Sequence, residues 1–407
     1  MDGCPMAEKL RVLFRCVVTA VAIARLGTGV VPRQAAASDL FEIQVVDQQT
    51  HRGIPMVEVK TVDDVALMTD SAGRVALDVT GLDNQQVYFA ISSPGYELKP
   101  DGFGFHGVRL NVRRGGTATV ELQRILPAER LYRVTGRNIY GDSVRLEKPV
   151  PLASPLIAGG VVGQDSVQVV PYHDQLYWFW GDTNRIGYPL GLFRTAGATS
   201  GLPGRGGLAA DVGVDLTYFT NQTGFARAMV DVPDAEGVVW IDGVCTVKDD
   251  QGRERLVTHY SRRKGLADQL EHGLAVFNDD RQTFEVLQVL PLEEEWRLIR
   301  SHPIHVTDEG VDYLMFGDPF LTTRVPATLS AIQDPQQYQS FVCTTGGDPK
   351  QATPSRNTAG MLDWHWARLP PVTQKDEQRW LRQGLVQQEE LRFLPNSTAD
   401  PSHRVLM

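Results

Sequence analysis

The chain has 407 residues, of which 42% are apolar and 22% charged, and its 40 Lys and Arg against 49 Asp and Glu give a formal net charge of −9. This composition is typical of a folded globular protein and excludes collagen-like, disulfide-knot and wholly disordered chains. The acidic balance without a basic run argues against a nucleic-acid partner, because phosphate neutralisation needs clustered Lys and Arg. At roughly 100–200 residues per domain, the length predicts two or three domains.

The first 37 residues carry the parts of a secretory signal peptide. Lys9, Arg11 and Arg15 precede an apolar run at residues 16–24, and small residues follow at 35–38. We therefore predict a signal peptide over residues 1–37 and a secreted or periplasmic protein; the alternative is a disordered start. The apolar run is short of the roughly 20 residues that cross a bilayer, and no other stretch is long and apolar enough, so no membrane span is expected.

Tryptophan usage indicates a domain boundary. All 7 Trp lie beyond residue 177, whereas the first 125 residues contain none. This step in composition predicts a boundary near residues 126–135. Residues 126–155 belong to either domain or bridge the two.

Alternating apolar and polar residues predict short strands in the first body. They lie at residues 41–45, 57–61, 75–79, 87–91 and 117–122, with a turn signal at 70–74. Short strands separated by turns predict an antiparallel β-sandwich over residues 40–125.

The order of three motifs in this sandwich, VVDQQTHRGIPMVEVKT, TDSAGRVALDV and ISSPGYE, resembles the transthyretin-like, carboxypeptidase-regulatory type of β-sandwich. The similarity covers about a fifth of the chain. The resemblance implies an accessory domain, to which we assign no chemistry. An unrelated Greek-key sandwich would lead to the same conclusion.

Bulky apolar runs recur in the second body, and each stops at an acidic residue beside glycine. The runs at residues 176–180, 238–241 and 313–316 precede Asp182, Asp242 and Asp318 respectively. Less apolar strand candidates lie at 255–260 and 273–277. Recurring strand groups predict repeated small sheets, and the radial arrangement of such repeats is a β-propeller.

Four segments, GQDSVQVV, YWFWGDT, VWIDG and EHGLAVFNDDRQTFE, resemble in their order the five-bladed β-propeller glycosidases and their uncharacterised relatives. The likeness covers about residues 155–345 and implies an all-β protein with a propeller over residues 130–407. The strand-rich sequence accounts for three blades and leaves a fourth open, so the propeller is expected to be truncated or irregularly closed. A helical segment is predicted at 373–393, because Thr373 and Asp376 form a helix start and Trp380, Leu381, Leu385 and Leu391 space as an apolar face.

The resemblance implies a site built from three acids in successive blades. Carried over by motif, Asp165 in GQDS matches the base. Asp242 in WIDG matches the acid that adjusts the pKa of the neighbouring groups, and Glu271 in EHG matches the proton donor. Glycoside hydrolysis needs two such carboxyl groups, about 5–5.5 Å apart for retention and about 6.5–9.5 Å apart for inversion. Blade geometry would gather these distant residues at one channel. The alternative for an Asp beside Gly is a turn-closing role, and for Glu271 an exposed position on a hairpin.

Four further residues are candidates for substrate binding: Asp182, Asn184, Arg185 and His259. Arg185 suits a sugar carboxylate through its planar fork, and His259 is either a channel residue or a satisfied interior histidine. No metal is expected from His302 and His305, whose spacing on a strand would place them on opposite faces. The sequence predicts no cofactor.

Three function classes remain open. The first is a secreted glycoside hydrolase that acts on a polysaccharide or oligosaccharide through paired carboxylates. The second is a polysaccharide lyase, which needs a Tyr or His base and a cation or Arg near an acidic sugar. The third is a non-catalytic carbohydrate-binding or surface-scaffold propeller.

Overall fold

The computed structural model describes residues 39–192, 194–232, 236–317, 320–346, 352–390, 393–394 and 405–406. The predicted signal peptide and Asp318 lie outside these residues. Strands dominate the described part of the chain and its helices are short, which confirms the all-β class. Within these residues no helix has the length and apolar character needed to cross a membrane.

The first body contains eight strands that form two four-stranded sheets. The strands are β1 (Phe41–Asp47), β2 (Glu58–Thr61), β3 (Ala66–Met68), β4 (Arg74–Leu77), β5 (Gln85–Ser92), β6 (Tyr96–Glu97), β7 (Gly107–Val112) and β8 (Thr117–Arg124). One sheet has the order β4-β1-β8-β6 and the other β3-β2-β5-β7. Alternate residues from both sheets, such as Ile43, Val59 and Phe89, are buried in one shared core. The five strands predicted from alternation are all present.

The expectation of a purely antiparallel sandwich was wrong at one position. Strand β1 pairs with β8 in parallel, from Glu42 opposite Thr117 to Asp47 opposite Leu122. The first and last strands of the body are far apart in sequence, so no tight hairpin constrains them to run in opposite directions. The predicted turn at residues 70–74 is confirmed, because the Asp70 carboxylate accepts the backbone N–H groups of Ala72 and Arg74.

The segment after the sandwich bridges the two bodies. The backbone N–H of Ser143, in helix α1 (Gly141–Arg145), donates to the Asp70 carboxylate of the first body at 2.7 Å. The Tyr140 hydroxyl donates to the carbonyl of Val212 in the second body at 2.6 Å. Residues 140–143 therefore contact both bodies, in agreement with the bridging alternative.

The second body contains a further series of strands. In its first half these are β9 (Val161–Gln164), β10 (Gln168–Tyr172), β11 (Gln175–Trp180), β12 (Thr183–Arg185), β13 (Tyr188–Leu192), β14 (Ala196–Gly201), β15 (Thr217–Tyr218) and β16 (Val230–Asp231). Then follow β17 (Val238–Lys248), β18 (Glu254–Lys264), β19 (Asp268–Asn278), β20 (Thr283–Leu290), β21 (Ile304–Asp308), β22 (Val311–Phe316), β23 (Thr323–Pro326), β24 (Gln339–Val342), β25 (His365–Ala367), β26 (Phe393–Leu394) and β27 (Val405–Leu406). The short helix α2 (Leu329–Gln333) lies between β23 and β24.

These strands form three larger sheets that stack face to face. Their orders are β10-β11-β14-β15, β16-β20-β19-β18-β17 and β21-β22-β23-β24-β25, with a smaller sheet β13-β12-β9 beside the first. Phe179 of the first sheet shares a core with Tyr260 and Phe277 of the second. The opposite face of the second sheet contributes Val257 to a core with Leu314 of the third. The middle sheet is therefore covered on both faces, which explains its apolar residues on both sides.

The predicted C-terminal helix is shorter than expected. Helix α3 covers Gln374–Arg382, and Thr373 and Asp376 form the predicted capping box at its start. The expectation that it would continue to residue 393 was wrong, because Gly384 adopts a positive φ of 68° and terminates the helix. Trp380 is fully buried, whereas Leu385 is exposed. Leu391 lies outside the described residues.

Strand β17 does not stop at Asp242, contrary to the prediction. It continues to Lys248 through a bulge, because Asp242 pairs with His259 but Cys245 pairs with Val257, which leaves one extra residue on β17. Gly243 sits in the bulge with a φ of +62°, and a Cβ there would lie 2.2 Å from the carbonyl oxygen of Ile299. Only glycine satisfies both conditions.

Replacing Gly243 by alanine should therefore destabilise the protein strongly. We expect Gly243→Ala to lower the free energy of unfolding by about 3 kcal/mol, because a left-handed conformation and a backbone overlap both oppose the methyl group. Gly252→Ala is the matched control, since Gly252 also has a positive φ but faces open space. It should cost about 1 kcal/mol. Urea denaturation followed by circular dichroism measures both, and equal losses would contradict the steric role of the bulge.

Candidate active site

A cavity of about 630 Å³ lies where the first and second large sheets of the second body meet the chain that follows β20. Its wall combines acidic, basic, hydroxyl and aromatic side chains. The lining residues are Asp165, Ser166, Val167, Gln168, Gly181, Asp182, Trp240, Ile241, Asp242, His259, Ser261, Arg263, Leu298, Arg300, Ser301 and His302. Four of the predicted site residues, Asp165, Asp182, Asp242 and His259, are thus brought together.

Asp165 and Asp182 are held side by side where β9 and β11 end. The backbone N–H of Asp182 donates to Asp165 Oδ1 at 3.0 Å, and the N–H of Gly181 donates to the Asp165 carbonyl at 3.0 Å. A Cβ on residue 181 would lie 2.9 Å from Asp165 Oδ1, so glycine permits this close approach. Asp165 is exposed and lines the cavity. The turn therefore positions one carboxylate through the backbone of the other.

Asp242 is fixed by donors from three separate segments. Its Oδ1 accepts from the backbone N–H of Ser301 at 2.8 Å, from the N–H of Gly243 at 2.9 Å and from Nε2 of Gln168 at 3.2 Å. Gln168 is anchored in turn, because its Oε1 accepts the N–H of Val244 at 3.3 Å. Three donors on one oxygen set the orientation of the carboxylate at the bulge.

Trp240 links the two acidic positions. It lies two residues before Asp242 on β17, so both side chains point to the same face of the strand. Its indole Nε1–H donates to Asp182 Oδ1 at 3.2 Å. Trp240 is half-buried, which leaves part of the ring at the cavity wall. An aromatic face beside carboxylates can stack on a sugar ring while the acids bind its hydroxyl groups.

The buried His259 has a defined tautomer. His272 Nε2 lies 2.7 Å from the Pro291 carbonyl, which can only accept, so His272 carries its proton there and its Nδ1 is an acceptor. His259 Nε2 lies 3.0 Å from that Nδ1 and must donate to it. Neutral His259 consequently keeps its lone pair on Nδ1. Burial, together with His272 and Arg300, holds the pKa of His259 well below its usual value.

Two arginines complete the charged lining. Arg263 follows His259 by four residues on β18 and therefore shares its face. Arg300 is adjacent to Ser301, the residue that holds Asp242, and its guanidinium is 3.9 Å from Glu295. The cavity thus offers carboxylates and guanidinium groups within one wall.

Three predicted site residues lie elsewhere. Glu271 is opposite Arg262 on β19, on the sheet face away from His259 and Arg263, and it is not among the cavity's lining residues. Its carboxylate accepts from the Tyr260 hydroxyl at 2.7 Å and lies 3.6 Å from Arg262. Asn184 and Arg185 are on β12, also outside the lining. Successive side chains on a β-strand point to opposite faces. His272 lies on the same sheet face as His259, so its neighbour Glu271 lies on the face away from the cavity.

Sequence reasoning missed Gln168, Arg263, Arg300 and Ser301 as cavity residues. Arg263 could have been found, because period-2 alternation from His259 places it on the same face. Ser301 acts through its backbone, which leaves no side-chain signal. His302 lines the cavity, whereas His305 lies 3.0 Å from Asp312 outside the lining. Among the described residues, no group of three or more His, Cys, Asp and Glu is placed to hold a metal ion.

The neutral state of His259 predicts a pH dependence of stability. In the unfolded chain this histidine takes up a proton below its ordinary pKa of 6.5, whereas the folded site resists protonation. Its contribution to stability is therefore complete above pH 6.5 and is lost as the pH falls. In His259→Gln, the slope of unfolding free energy against pH below 6.5 should decrease by up to about 1.4 kcal/mol per pH unit. Urea titrations at several pH values test this, with His106→Gln at an exposed sandwich position as the control; an unchanged slope in His259→Gln contradicts it.

Comparison with known proteins gives only distant similarities. No family model matches the sequence, and no curated protein matches it. A mutant levansucrase from B. megaterium aligns over 83% of this chain and 80% of its own, with 12% identity and a TM-score of 0.23. A xylan beta-1,4-xylosidase from Bacillus Halodurans C-125 aligns over 69% of this chain with 10% identity and a TM-score of 0.20, and the alignment covers 46% of its own length. These TM-scores are below those of chains that share a fold.

Proposed function

We propose that this protein is a glycoside hydrolase whose active site is the cavity around Asp165, Asp182 and Asp242. The observation that supports this most is the convergence of the three carboxylates, from the ends of β9 and β11 and the bulge of β17, on one open polar cavity. Paired carboxyl groups beside a bound sugar are what glycoside hydrolysis requires. The half-buried Trp240 ring, which donates to Asp182 and lies on the same strand face as Asp242, supplies a surface for a sugar face.

The contacts suggest a distinct role for each acid. Asp165 is exposed and accepts a single backbone N–H among the described residues, so we assign it as the base or nucleophile. Asp182 accepts the Trp240 indole and is the proposed proton donor in place of Glu271, which lies on the other face of its sheet. Asp242 is the positioning carboxylate, because three donors already bind its Oδ1.

The finer architecture is part of the same proposal. We infer that the large sheets are blades of a five-bladed type of propeller within residues 130–407, supported by their face-to-face stacking over shared cores. The sandwich at residues 40–125 is proposed as a transthyretin-like accessory domain. The motif order in both bodies supports these assignments. The charge and apolar pattern of residues 1–37 supports secretion or a periplasmic location.

Substitution of the cavity acids tests the hydrolase directly. With any glycan that a panel of aryl glycosides and polysaccharides shows to be cleaved, Asp165→Asn and Asp182→Asn should each lower kcat at least about 100-fold, because each removes an acid or base. Glu271→Gln should stay within about tenfold of the parent. Release of reducing ends or of the aryl group is the measurement, with thermal unfolding as the check on folding. A large loss of kcat in folded Glu271→Gln would restore the proton-donor role to Glu271.

A second candidate is a polysaccharide lyase, which the His259 tautomer favours. A neutral histidine with its lone pair on Nδ1 can take the proton from C5 of a uronate. The electron pair of the C5–H bond then forms the C4=C5 double bond as the C4–O bond breaks, and the leaving oxygen takes a proton from the solvent. Arg300 would stabilise the negative charge that develops on the carboxylate. Each cleavage leaves a C4=C5 double bond conjugated to the carboxylate, which absorbs in the ultraviolet.

Product spectra separate the two candidates. If the lyase operates, polyuronates yield ultraviolet-absorbing products, and His259→Gln lowers that rate at least about 100-fold because the base is lost. If the hydrolase operates, reducing ends appear without ultraviolet absorbance and Asp165→Asn abolishes their release. Ultraviolet-absorbing products that persist in His259→Gln would exclude His259 as the base.

A further inference from the structure

One face of the paired strands β17 and β18 lines the cavity, and the character of its side chains changes along the strands from an acid and a histidine, past an aromatic ring, to an arginine. In the register, Asp242 lies opposite His259, Trp240 opposite Ser261, and Val238 opposite Arg263. At about 3.3 Å per residue, the four residues from His259 to Arg263 span about 13 Å. This distance exceeds the width of one sugar ring. A sugar ring placed against Trp240 and Asp242 would therefore leave Arg263 at a position beyond it.

Arg263 is surrounded by neutral acceptors. Its Nη2 donates to Gln269 Oε1 at 2.7 Å, Nη1 to the Leu266 carbonyl at 3.3 Å and Nε to Ser261 Oγ at 3.5 Å. A guanidinium has five N–H groups, so within the described chain one hydrogen on each terminal nitrogen remains available to a ligand. The side chain is oriented, half-buried and open to the cavity.

Neighbouring acidic residues do not neutralise this guanidinium. Glu271 lies 3.6 Å from Arg262, and Glu236 lies 3.9 Å from Lys264. The two basic residues that flank Arg263 in sequence, Arg262 and Lys264, thus each have an acidic partner. Within the described part of the chain, the hydrogen bonds of Arg263 go only to uncharged groups. An anion bound there would form charge-assisted hydrogen bonds that water and neutral acceptors cannot match.

We propose that the cavity selects a glycan with an anionic substituent, a ring carboxylate or a sulfate ester, which binds Arg263 while the adjacent sugar lies against Trp240. This inference rests on the proposed function only in taking the cavity as a carbohydrate site. The three cavity carboxylates would repel such a group at their own position, so the substituent is directed to the Arg263 end.

Binding measured in the Asp165→Asn background keeps recognition separate from cleavage. Isothermal titration would compare three oligosaccharides of equal length: a galacturonate oligomer, a sulfated galactan oligomer and a neutral xylan oligomer. We expect at least one anionic oligomer to bind at least about tenfold more tightly than the neutral one. Tighter binding of the galacturonate identifies the carboxylate as the ligand, and tighter binding of the galactan identifies the sulfate.

Arg263 variants test the residue itself. Arg263→Gln should lower the affinity for the anionic oligomer about 10- to 100-fold, which is the range for a lost charged hydrogen bond. Its affinity for the neutral oligomer should stay within about twofold of the parent's. Arg263→Lys should restore part of the affinity, because charge remains while the planar fork is lost. Arg109→Gln, an exposed arginine on β7, should change neither. Equal weakening of both oligomers by Arg263→Gln, or equal affinity of the parent for both, overturns the proposal.

The outcomes also separate this inference from the hydrolase proposal. Arginine-dependent binding of anionic glycans without any reducing-end release by the parent protein supports the inference and removes the hydrolase. Hydrolysis of neutral glycans with a kcat/KM unchanged in Arg263→Gln, and no preference for the anionic oligomers, supports the hydrolase and removes the inference.

Discussion

The carboxylate of Asp242 is the contact on which the cavity depends. Its Oδ1 accepts hydrogen bonds from Gln168 at the start of β10, from Gly243 in the bulge of β17 and from Ser301 after the second sheet. One side chain thus holds three segments in fixed relation. The bulge is what makes this possible, because the extra residue lets the strand continue to Lys248 while Asp242 stays directed at these donors.

The remaining polar groups of the cavity depend on that arrangement. Trp240 is placed by the same strand, and its indole fixes the carboxylate of Asp182. The backbone of Asp182 in turn fixes Asp165. A series of hydrogen bonds therefore runs from the middle sheet to the first sheet. Groups oriented in this way need little rearrangement when a ligand binds, which is the condition for effective recognition and catalysis.

The histidine pair shows how the fold accommodates polarity beside an apolar core. His259 and His272 are almost fully buried on the face of the middle sheet that also carries Val257 and Leu274. Burial of imidazole without partners would be costly, and the bond between the rings and the bond to the Pro291 carbonyl compensate for it. The same bonds fix the tautomer, and burial, with His272 and Arg300, lowers the pKa of His259 and keeps it neutral at the cavity wall.

The sequence by itself determined the strands and several of the acids. Period-2 alternation located β1 and β5, unbroken apolar residues located β11, and an adjacent glycine marked Asp182 and Asp242 as acids of a strand end or turn, because these signals depend only on local backbone geometry. Strand β17 nevertheless continues past Asp242 through the bulge. Asp165 has no adjacent glycine and was identified by the resemblance of its GQDS motif. Only the tertiary structure decided which of them meet. Glu271 is separated from the cavity because alternation on β19 gives that face to His272, and Arg263 enters it through the register of β17 with β18. Contacts of this kind arise from pairing between distant segments, and Ser301, which acts through its backbone N–H, has no side-chain signature that a sequence could display.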